Sequence, residues 1–280
     1  MKKYAFIIDI GKCENCHNCF LSCKDEHCGN NWPGYSTSQP LHGHRWLNIR
    51  QKERGIFPLI DIAYLPQPCM HCDDAPCVAA GNGAVQKRED GVVLIDPAKA
   101  RGRKELLAAC PYGAIWWNEE EQVPQKCTLC AHLLDDGWSV PRCVQACPTG
   151  ALSIFHGDES ELRQRVVDEE LDILPEAAKI KGQPQCYYKN LYRYSHCFIA
   201  GSLAEKVGEI EDCVIGATVR LKKNAEVVAE QESDDFGDFR FDNLPENSGD
   251  YQIEIVRDGM VVRELSIDVV QSCSVSTIIL

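Results

Sequence analysis

The stretch Cys13-Glu-Asn-Cys16-His-Asn-Cys19-Phe-Leu-Ser-Cys23 decides the fold of the first part of the chain. Its spacing, C-x2-C-x2-C-x3-C, is the run that wraps a four-iron, four-sulfur cube in bacterial-type ferredoxins. Three cysteines of such a run bind one cube, and the fourth binds the other cube of a two-cluster module. The stretch therefore predicts an iron–sulfur module in which Cys23 serves a second site.

The second half of this module is a run of four cysteines between residues 127 and 147. Cys127 and Cys130 are followed by Cys143 after twelve residues, and then by Cys147 with Pro148. A proline after the fourth cysteine suits the start of a helix that leads away from the loop, because this position needs no N–H. Exchange of the fourth members predicts two sites, Cys13, Cys16, Cys19 with Cys147, and Cys127, Cys130, Cys143 with Cys23.

The middle of the chain carries a third complete set of cysteines. Cys69, Cys72 and Cys77 form a run with spacing x2, x4, and Cys110 is followed by a proline like a fourth member. The same exchange of fourth members joins these four cysteines into one site. The sequence thus predicts a third cluster held by Cys69, Cys72, Cys77 and Cys110.

A fourth site, which would form a two-cluster module with the third, lacks all its ligands. The residue four positions after Cys77 is Gly81, and counting back from Cys110 by four, three and three residues reaches Leu106, Arg103 and Ala100. A random loss of four cysteines would more often damage two sites than remove one complete set. The pattern therefore supports the exchanged pairing and predicts three clusters, with about twelve iron atoms per chain.

Zinc sites and disulfide bonds are the alternative uses of these cysteines. C-x2-C pairs alone are typical of zinc sites. Zinc does not account for the first run together with the two similar tokens at 110–114 and 147–151, Cys-Pro-Tyr-Gly-Ala and Cys-Pro-Thr-Gly-Ala. The odd total of 17 cysteines disfavours a disulfide framework.

Two further sets of residues have open interpretations. Five flank the predicted ligands, and they either tune cluster potentials or are partly exposed loop side chains; they are His17, His71, Tyr112, Lys126 and Thr128. Five other cysteines are expected to be non-ligands, and those of the C-terminal part to be buried small apolar residues; they are Cys28, Cys186, Cys197, Cys213 and Cys273.

Charge and hydropathy limit the partners and the compartment. The 280-residue chain has a formal net charge of −13, which argues against nucleic acid and anionic membrane surfaces as partners. The apolar run at the N-terminus is too short for a secretory signal, and none of the apolar stretches is long enough to span a bilayer. We therefore expect a cytoplasmic protein, with export on the signal of a partner as the open alternative.

The character of the sequence changes after Cys147. Residues 158–171 have helical spacing of apolar residues and an acidic first turn, which predicts a short helix. From about Phe198 onward the chain alternates between β-rich runs and turn signals such as Asp258-Gly259, a pattern that predicts a small β-sandwich. The predicted strands are Cys213–Leu221, Glu226–Gln231, Asp238–Phe241, Asp250–Val256, Met260–Asp268 and Ser274–Leu280.

These patterns predict an α+β chain of two domains. Residues 1–195, which include the helix and the connecting segment 158–195, would form duplicated two-cluster ferredoxin-like modules with inserted β-hairpins. Residues 196–280 would form a β-sandwich that resembles the transthyretin-like, immunoglobulin-like type. We interpret it as an interaction or bracing module without a catalytic role.

Nearly the whole chain resembles the iron–sulfur subunits of the dimethyl-sulfoxide-reductase family of molybdopterin enzymes. Within that family it is similar to the small subunits of pyrogallol–phloroglucinol transhydroxylase and of resorcinol hydroxylase, which share the three clusters and the C-terminal β-domain. The residues that carry the resemblance, besides the cysteine run 13–23, are Trp-Pro-Gly-Tyr at 32–35, Gly-His-Arg-Trp at 43–46, Cys-Met-His-Cys at 69–72, Gly-Asn-Gly-Ala-Val at 81–85, Cys-Pro-Tyr-Gly at 110–113, Lys-Cys-Thr-Leu-Cys-Ala-His-Leu-Leu-Asp at 126–135 and Tyr-Tyr-Lys-Asn-Leu-Tyr-Arg at 187–193.

The resemblance implies a non-catalytic electron-transfer subunit in a heterodimer. The large subunit would hold molybdenum or tungsten in a bis-pyranopterin guanine dinucleotide cofactor and would hydroxylate or transhydroxylate polyhydroxylated benzenes. In four-cluster relatives the site lost here lies farthest from molybdenum, next to a membrane anchor, so its loss implies no transfer to a membrane subunit. The alternatives are an iron–sulfur subunit of a respiratory molybdopterin reductase or dehydrogenase, and a free polyferredoxin.

Overall fold

The computed structural model describes residues 2–179 and 183–280 and divides the chain into two compact units. The first unit is Met1–Arg50 with Tyr64–Leu191, and the second is Gln51–Ala63 with Tyr192–Leu280. The boundary drawn from the sequence, at 195/196, leaves 51–63 in the first domain, whereas the structure groups this hairpin tip with the C-terminal strands. None of the helices among the described residues is long and apolar enough to cross a membrane.

The first unit consists of short helices and strands joined by cysteine-bearing loops. Its helices are α1 (Asn18–His27), α2 (Pro76–Gly81), α3 (Pro97–Ala100), α4 (Ala131–Asp135), α5 (Arg142–Gln145) and α6 (Glu159–Asp168). Its strands are β1 (Lys3–Asp9), β4 (Val85–Lys87), β5 (Val93–Ile95), β6 (Trp116–Asn118), β7 (Val123–Gln125), β8 (Leu152–Gly157) and β9 (Cys186–Lys189). A hairpin of β2 (Asn48–Ile56) and β3 (Leu59–Gln67) crosses the boundary between the units.

The first unit contains a three-stranded sheet. Strand β1 is its centre, antiparallel to β8 and parallel to β9. Ala5, Phe6 and Ile8 of β1 are at most 1% exposed, as expected for a central strand that is covered on both faces. The two-stranded hairpins β4–β5 and β6–β7 agree with the predicted insertion of β-hairpins into this part of the chain.

The predicted helix at 158–171 is observed as α6, Glu159–Asp168, and is shorter than expected. Glu161 accepts a hydrogen bond of 2.8 Å from the backbone N–H of Asp158, half of a capping box that starts the helix. The helix ends before Glu170, which has a positive φ of 52°. That left-handed conformation terminates a helix, and periodicity alone does not reveal it.

Besides the tip of the β2–β3 hairpin, the second unit contains one four-residue helix and eight strands. They are α7 (Tyr192–Ser195), β10 (Cys197–Val207), β11 (Ile210–Cys213), β12 (Thr218–Lys223), β13 (Glu226–Glu232), β14 (Asp238–Leu244), β15 (Gly249–Arg257), β16 (Met260–Val269) and β17 (Cys273–Ile279). One sheet has the order β11-β10-β14 with β17 paired to β10, and the other has the order β13-β12-β15-β16. One apolar cluster draws residues from both sheets, among them Ile199, Phe241, Val219 and Ile253.

Two sequence predictions in this unit need correction. The single strand predicted at Cys213–Leu221 is wrong, because Gly216 has a φ of 72° and separates β11 from β12. The eleven-residue strand β10 is absent from the predicted set. The hairpin predicted at Asp258-Gly259 is confirmed, since both residues have a positive φ and join the antiparallel strands β15 and β16.

Candidate metal centres

The first group of cysteines lies around the N-terminus of α1. Cys19 is in the helix, and Cys147 follows α5. Burial raises the pKa of Cys19 to about 12, and the nearby thiols of Cys13, Cys147 and Cys16 add to the rise. The sulfur of Cys147 accepts from the backbone N–H of Leu152 at 3.5 Å. The structure thus brings together the four cysteines that the exchange of fourth members assigns to one site.

The second group is more deeply buried. Burial raises the pKa of Cys143 well above its ordinary value, and the thiols of Cys130, Cys127 and Cys23 add to the rise. The sulfur of Cys127 accepts from the backbone N–H of Leu129 at 3.4 Å. These four cysteines are the set predicted for the second site.

The third group lies at the start of α2. Burial raises the pKa of Cys72 to about 12, and the thiols of Cys69, Cys110 and Cys77 add to the rise. The sulfur of Cys69 accepts from the His71 N–H at 3.5 Å, and that of Cys110 from the Ala114 N–H at 3.4 Å. Within residues 2–179 and 183–280, no group of three or more His, Cys, Asp or Glu side chains could hold a single metal ion.

Some thiols of one group affect the pKa of thiols in another group, which shows which groups are neighbours. The thiol of Cys19, from the first group, adds to the raised pKa of Cys23 and of Cys143 in the second group. The thiol of Cys69, from the third group, adds to the raised pKa of Cys127 in the second group. The second group is therefore a neighbour of each of the other two.

The loops between the cysteines have an uncommon backbone conformation. Asn15, His17, His71, Leu129 and Cys130 all have a positive φ, between 43° and 61°. Few residues other than glycine adopt this conformation. Where such left-handed residues alternate with right-handed ones, successive backbone N–H groups point into one concavity. A concavity lined by N–H groups favours binding of an anion. The loops are thus shaped to surround a negatively charged group.

Buried donors without a protein acceptor also flank the cysteines. Nδ1 of His71 accepts from the backbone N–H of Val93 at 3.0 Å, so the ring proton is on Nε2. Among the described residues, His71 Nε2, the Tyr112 hydroxyl and Thr128 Oγ1 are buried without a hydrogen-bond partner. Such donors need an acceptor, because an unsatisfied buried polar group costs about 1–3 kcal/mol. Sulfide and thiolate sulfur atoms of bound clusters would supply it, so the donor set fits iron–sulfur clusters.

The position of the missing fourth set is filled by other side chains. Arg103 donates to the carbonyl of Ala80 at 2.9 Å and also to that of Gly81. Leu106 and Ala100 are fully buried. A Cβ at Gly81 would lie 2.8 Å from the side chain of Val85. Packing and hydrogen bonds therefore occupy the place where the pattern would position four further ligands.

The flanking residues and the remaining cysteines differ in their environments. His71, Lys126 and Thr128 are at most 4% exposed, so their interpretation as partly exposed loop side chains is wrong. Cys213 is exposed, so its expected burial is wrong too. Cys186 is fully buried, and the nearby thiols of Cys69 and Cys127 add to the rise that burial causes in its pKa. The sequence places Cys186 only among the non-ligands, because its separation along the chain hides its place beside two of the groups.

Comparisons with known proteins identify relatives of the chain. A family described as 4Fe-4S dicluster domain matches residues 60–156. The pyrogallol hydroxytransferase small subunit of Pelobacter acidigallici is 47% identical over 278 residues, which cover 96% of this chain and 98% of that protein. A sulfite dehydrogenase subunit from Allochromatium vinosum is 36% identical over 176 residues, 58% of this chain and 73% of that protein. A tetrathionate reductase subunit from Salmonella typhimurium is 35% identical over 166 residues, 59% of this chain and 61% of that protein.

The relatives agree with the cysteine runs and with the family that the motifs resemble. The first of them matches both the cysteine-bearing stretch and the C-terminal strands, because its identity extends over nearly the whole of both chains. The chain therefore belongs to the family of iron–sulfur electron-transfer subunits of molybdopterin enzymes that includes the pyrogallol hydroxytransferase small subunit.

Proposed function

We propose that this chain carries electrons through three [4Fe-4S] clusters to and from a large molybdopterin-containing catalytic subunit. The reaction on that subunit would be the hydroxylation or transhydroxylation of polyhydroxylated benzenes of the pyrogallol and phloroglucinol type. The carrying observation is the convergence of twelve cysteines in three groups of four, in a chain 47% identical to a pyrogallol hydroxytransferase small subunit. The chain itself would be non-catalytic and cytoplasmic, with its partner in a heterodimer.

The proposed ligand sets follow the three groups. Cys13, Cys16, Cys19 and Cys147 would hold the first cluster, Cys127, Cys130, Cys143 and Cys23 the second, and Cys69, Cys72, Cys77 and Cys110 the third. The N–H groups of Leu152, Leu129 and Ala114 would keep donating to the ligand sulfurs, as they do to the thiols. Hydrogen bonds of this kind favour the thiolate form that binds metal.

The order of the groups suggests a linear electron path with the second cluster in its middle. Cys16, of the first group, is exposed, whereas Cys69, Cys72 and Cys77 of the third are buried. The exposed end is the natural place for exchange with the catalytic subunit. Beyond the third group, Arg103 and Leu106 fill the place of a fourth site, which supports a path that ends there.

The C-terminal strands are proposed to form a transthyretin-like β-sandwich. The support is the shared apolar core of the two four-stranded sheets. We propose an interaction or bracing role for this part of the chain. The phenol-directed function is favoured over that of a respiratory reductase subunit, because the pyrogallol hydroxytransferase small subunit matches 96% of this chain, whereas the sulfite dehydrogenase and tetrathionate reductase relatives match only 58% and 59%.

Two measurements test the proposal. Purification from the native host should yield this chain with one large molybdenum- or tungsten-containing subunit; a monomer that serves unrelated reductases would instead indicate a free polyferredoxin. Iron analysis should give about twelve iron atoms per chain. About sixteen would refute the argument for a missing fourth site.

A further inference from the structure

The side chain of Lys126 is a buried cation next to two of the cysteine groups. It immediately precedes Cys127 and is 3% exposed. Its ammonium donates to the carbonyl of Cys127 at 3.0 Å and to that of Val93. Among the described residues no carboxylate forms an ion pair with Lys126, in contrast to Lys87, which pairs with Asp73 at 2.7 Å.

A buried charge without a counter-charge is costly. Removal of an ammonium from water has a large free-energy cost unless the group is paired and hydrogen-bonded. Two of the three N–H donors of Lys126 are occupied by carbonyls, so one donor and the whole positive charge remain uncompensated by the described residues. The position therefore requires a nearby negative group other than a carboxylate.

The surroundings of Lys126 indicate which negative groups these are. The carbonyl of Val93 accepts from Lys126, and the N–H of the same residue donates at 3.0 Å to Nδ1 of His71, the residue before Cys72 of the third group. In agreement with this placement, the Lys126 ammonium opposes the rise that burial causes in the pKa of Cys77, Cys110 and Cys127. Two of these thiols belong to the third group and one belongs to the second.

We propose that Lys126 is the shared counter-charge of the second and third clusters, and that it raises the reduction potentials of both. The inference rests on the ligand sets of the proposed function. An added electron makes a cluster more negative, so a fixed positive charge nearby stabilises the reduced form and raises its potential. Because this charge is buried, solvent screens it weakly. Lys126 thereby favours entry of the electron into the inner two sites over the exposed first site.

The test is a redox titration, followed by electron paramagnetic resonance, of the intact complex with Lys126→Met and Lys126→Gln. Both variants should lower the midpoint potentials of the second and third clusters and leave that of the first unchanged. Lys126→Arg keeps the charge and should retain both potentials. Lys104→Met is the matched control, because that ammonium is on an exposed side chain and pairs with Glu119, and it should change none of the three.

The outcomes separate this inference from the proposed function. Iron analysis of the unaltered complex comes first, and a count far from about twelve would refute the ligand sets themselves. Unchanged potentials in the neutral variants, or an equal shift of all three, would overturn the role of Lys126 while leaving the clusters in place. If the neutral variants lose iron, Lys126→Arg decides: retained iron and potentials support the counter-charge, and the same loss overturns it.

Discussion

The backbone N–H of Val93 donates a hydrogen bond of 3.0 Å to Nδ1 of His71. A backbone N–H can only donate, so this bond fixes the tautomer of the ring and places its proton on Nε2. Burial, together with the charges of Lys126 and Lys87, holds the pKa of His71 well below its ordinary value. The ring is therefore a neutral donor through Nε2–H. Val93 of β5 fixes its orientation, and the carbonyl of the same residue accepts from the ammonium of Lys126.

Replacement of His71 by Phe should lower the potential of the third cluster. The loss of an N–H···S hydrogen bond removes stabilisation of the reduced, more negative form. A redox titration should show the shift for the third cluster, with resonance Raman spectra reporting changed iron–sulfur stretching at the same site. His156→Phe, at an exposed ring stacked on Tyr4, is the control. An unshifted third cluster in a His71→Phe protein of full iron content would show that Nε2 donates elsewhere.

Replacement of Cys110 by Ala should remove the third cluster and leave the others in place. Cys110 lies next to Cys69 and Cys72, although about forty residues separate them along the chain. The expected loss is about four iron atoms per chain, since each cube holds four. Iron analysis and electron paramagnetic resonance measure this loss.

Cys28→Ala is the matched control, because the Cys28 thiol donates to the carbonyl of Pro40, and it should keep the full iron content. Loss of the first cluster's signal in Cys110→Ala would contradict the pairing.

The cysteine groups can be predicted from the sequence because the exchange rule links spacing to geometry. The rule assigns Cys23 and Cys147 to distant partners without any structural information, and the structure brings each to those partners. Residues without a repeated spacing give no such signal. Cys186 reaches the second and third groups from β9, and Lys126, which precedes Cys127 in the sequence, reaches the third group from the end of β7; only the fold reveals these contacts.

The strands of the second unit show a similar division. Alternating residues and an Asp-Gly turn predict the β15–β16 hairpin, because that pairing is local. Strand β10 pairs with β11, β14 and β17, and its partners β14 and β17 are far along the chain. Its continuous burial, from Cys197 to Gly201, lacks the alternation that marks a half-exposed strand. A strand surrounded on both edges and covered on its faces is therefore the one that the sequence pattern does not reveal.

Replacement of Gly81 by Ala should destabilise the first unit. The added Cβ would lie 2.8 Å from Val85, and such overpacking typically costs about 1–3 kcal/mol. Chemical denaturation of the cluster-loaded protein measures the cost. In a double-mutant cycle with Val85→Ala, the two changes together should cost less than the sum of the single ones, because the smaller side chain makes room for the methyl group. Strictly additive costs would show that Val85 is not the obstacle.

Asp61 is the acceptor at the centre of an ion-pair network in the second unit. It accepts from Arg193 at 3.1 Å and from Arg240 at 2.9 Å, and it also pairs with the buried Arg54. The guanidinium of Arg240 lies 3.9 Å from the centre of the Phe198 ring. Burial alone would raise the pKa of Asp61, but hydrogen bonds from Arg54 and Arg240 outweigh it and lower the pKa to about 2.

Replacement of Asp61 by Asn should destabilise the second unit at neutral pH and less so in acid. Loss of the charged acceptor leaves Arg54 with only Asp242 as an ion-pair partner among the described residues, at a cost of about 2 kcal/mol. A carboxyl whose pKa is lower in the folded state than its ordinary value of about 3.9 stabilises fully above that value. Its contribution falls as the pH drops towards about 2. The difference between the wild type and Asp61→Asn should therefore narrow between about pH 5 and pH 2.

Hydrogen exchange of the β14 amides in the intact chain measures this difference without requiring the second unit to fold alone. Asp258→Asn is the control, because that exposed turn residue has a positive φ that asparagine also tolerates, and its effect should be small at every pH. If the difference between wild type and Asp61→Asn stayed constant from about pH 5 to the lowest accessible pH, the Asp61 carboxylate would not be the acid-sensitive element. The network would then depend on Asp242, which accepts from Arg54 at 3.1 Å and from Arg240 at 2.7 Å.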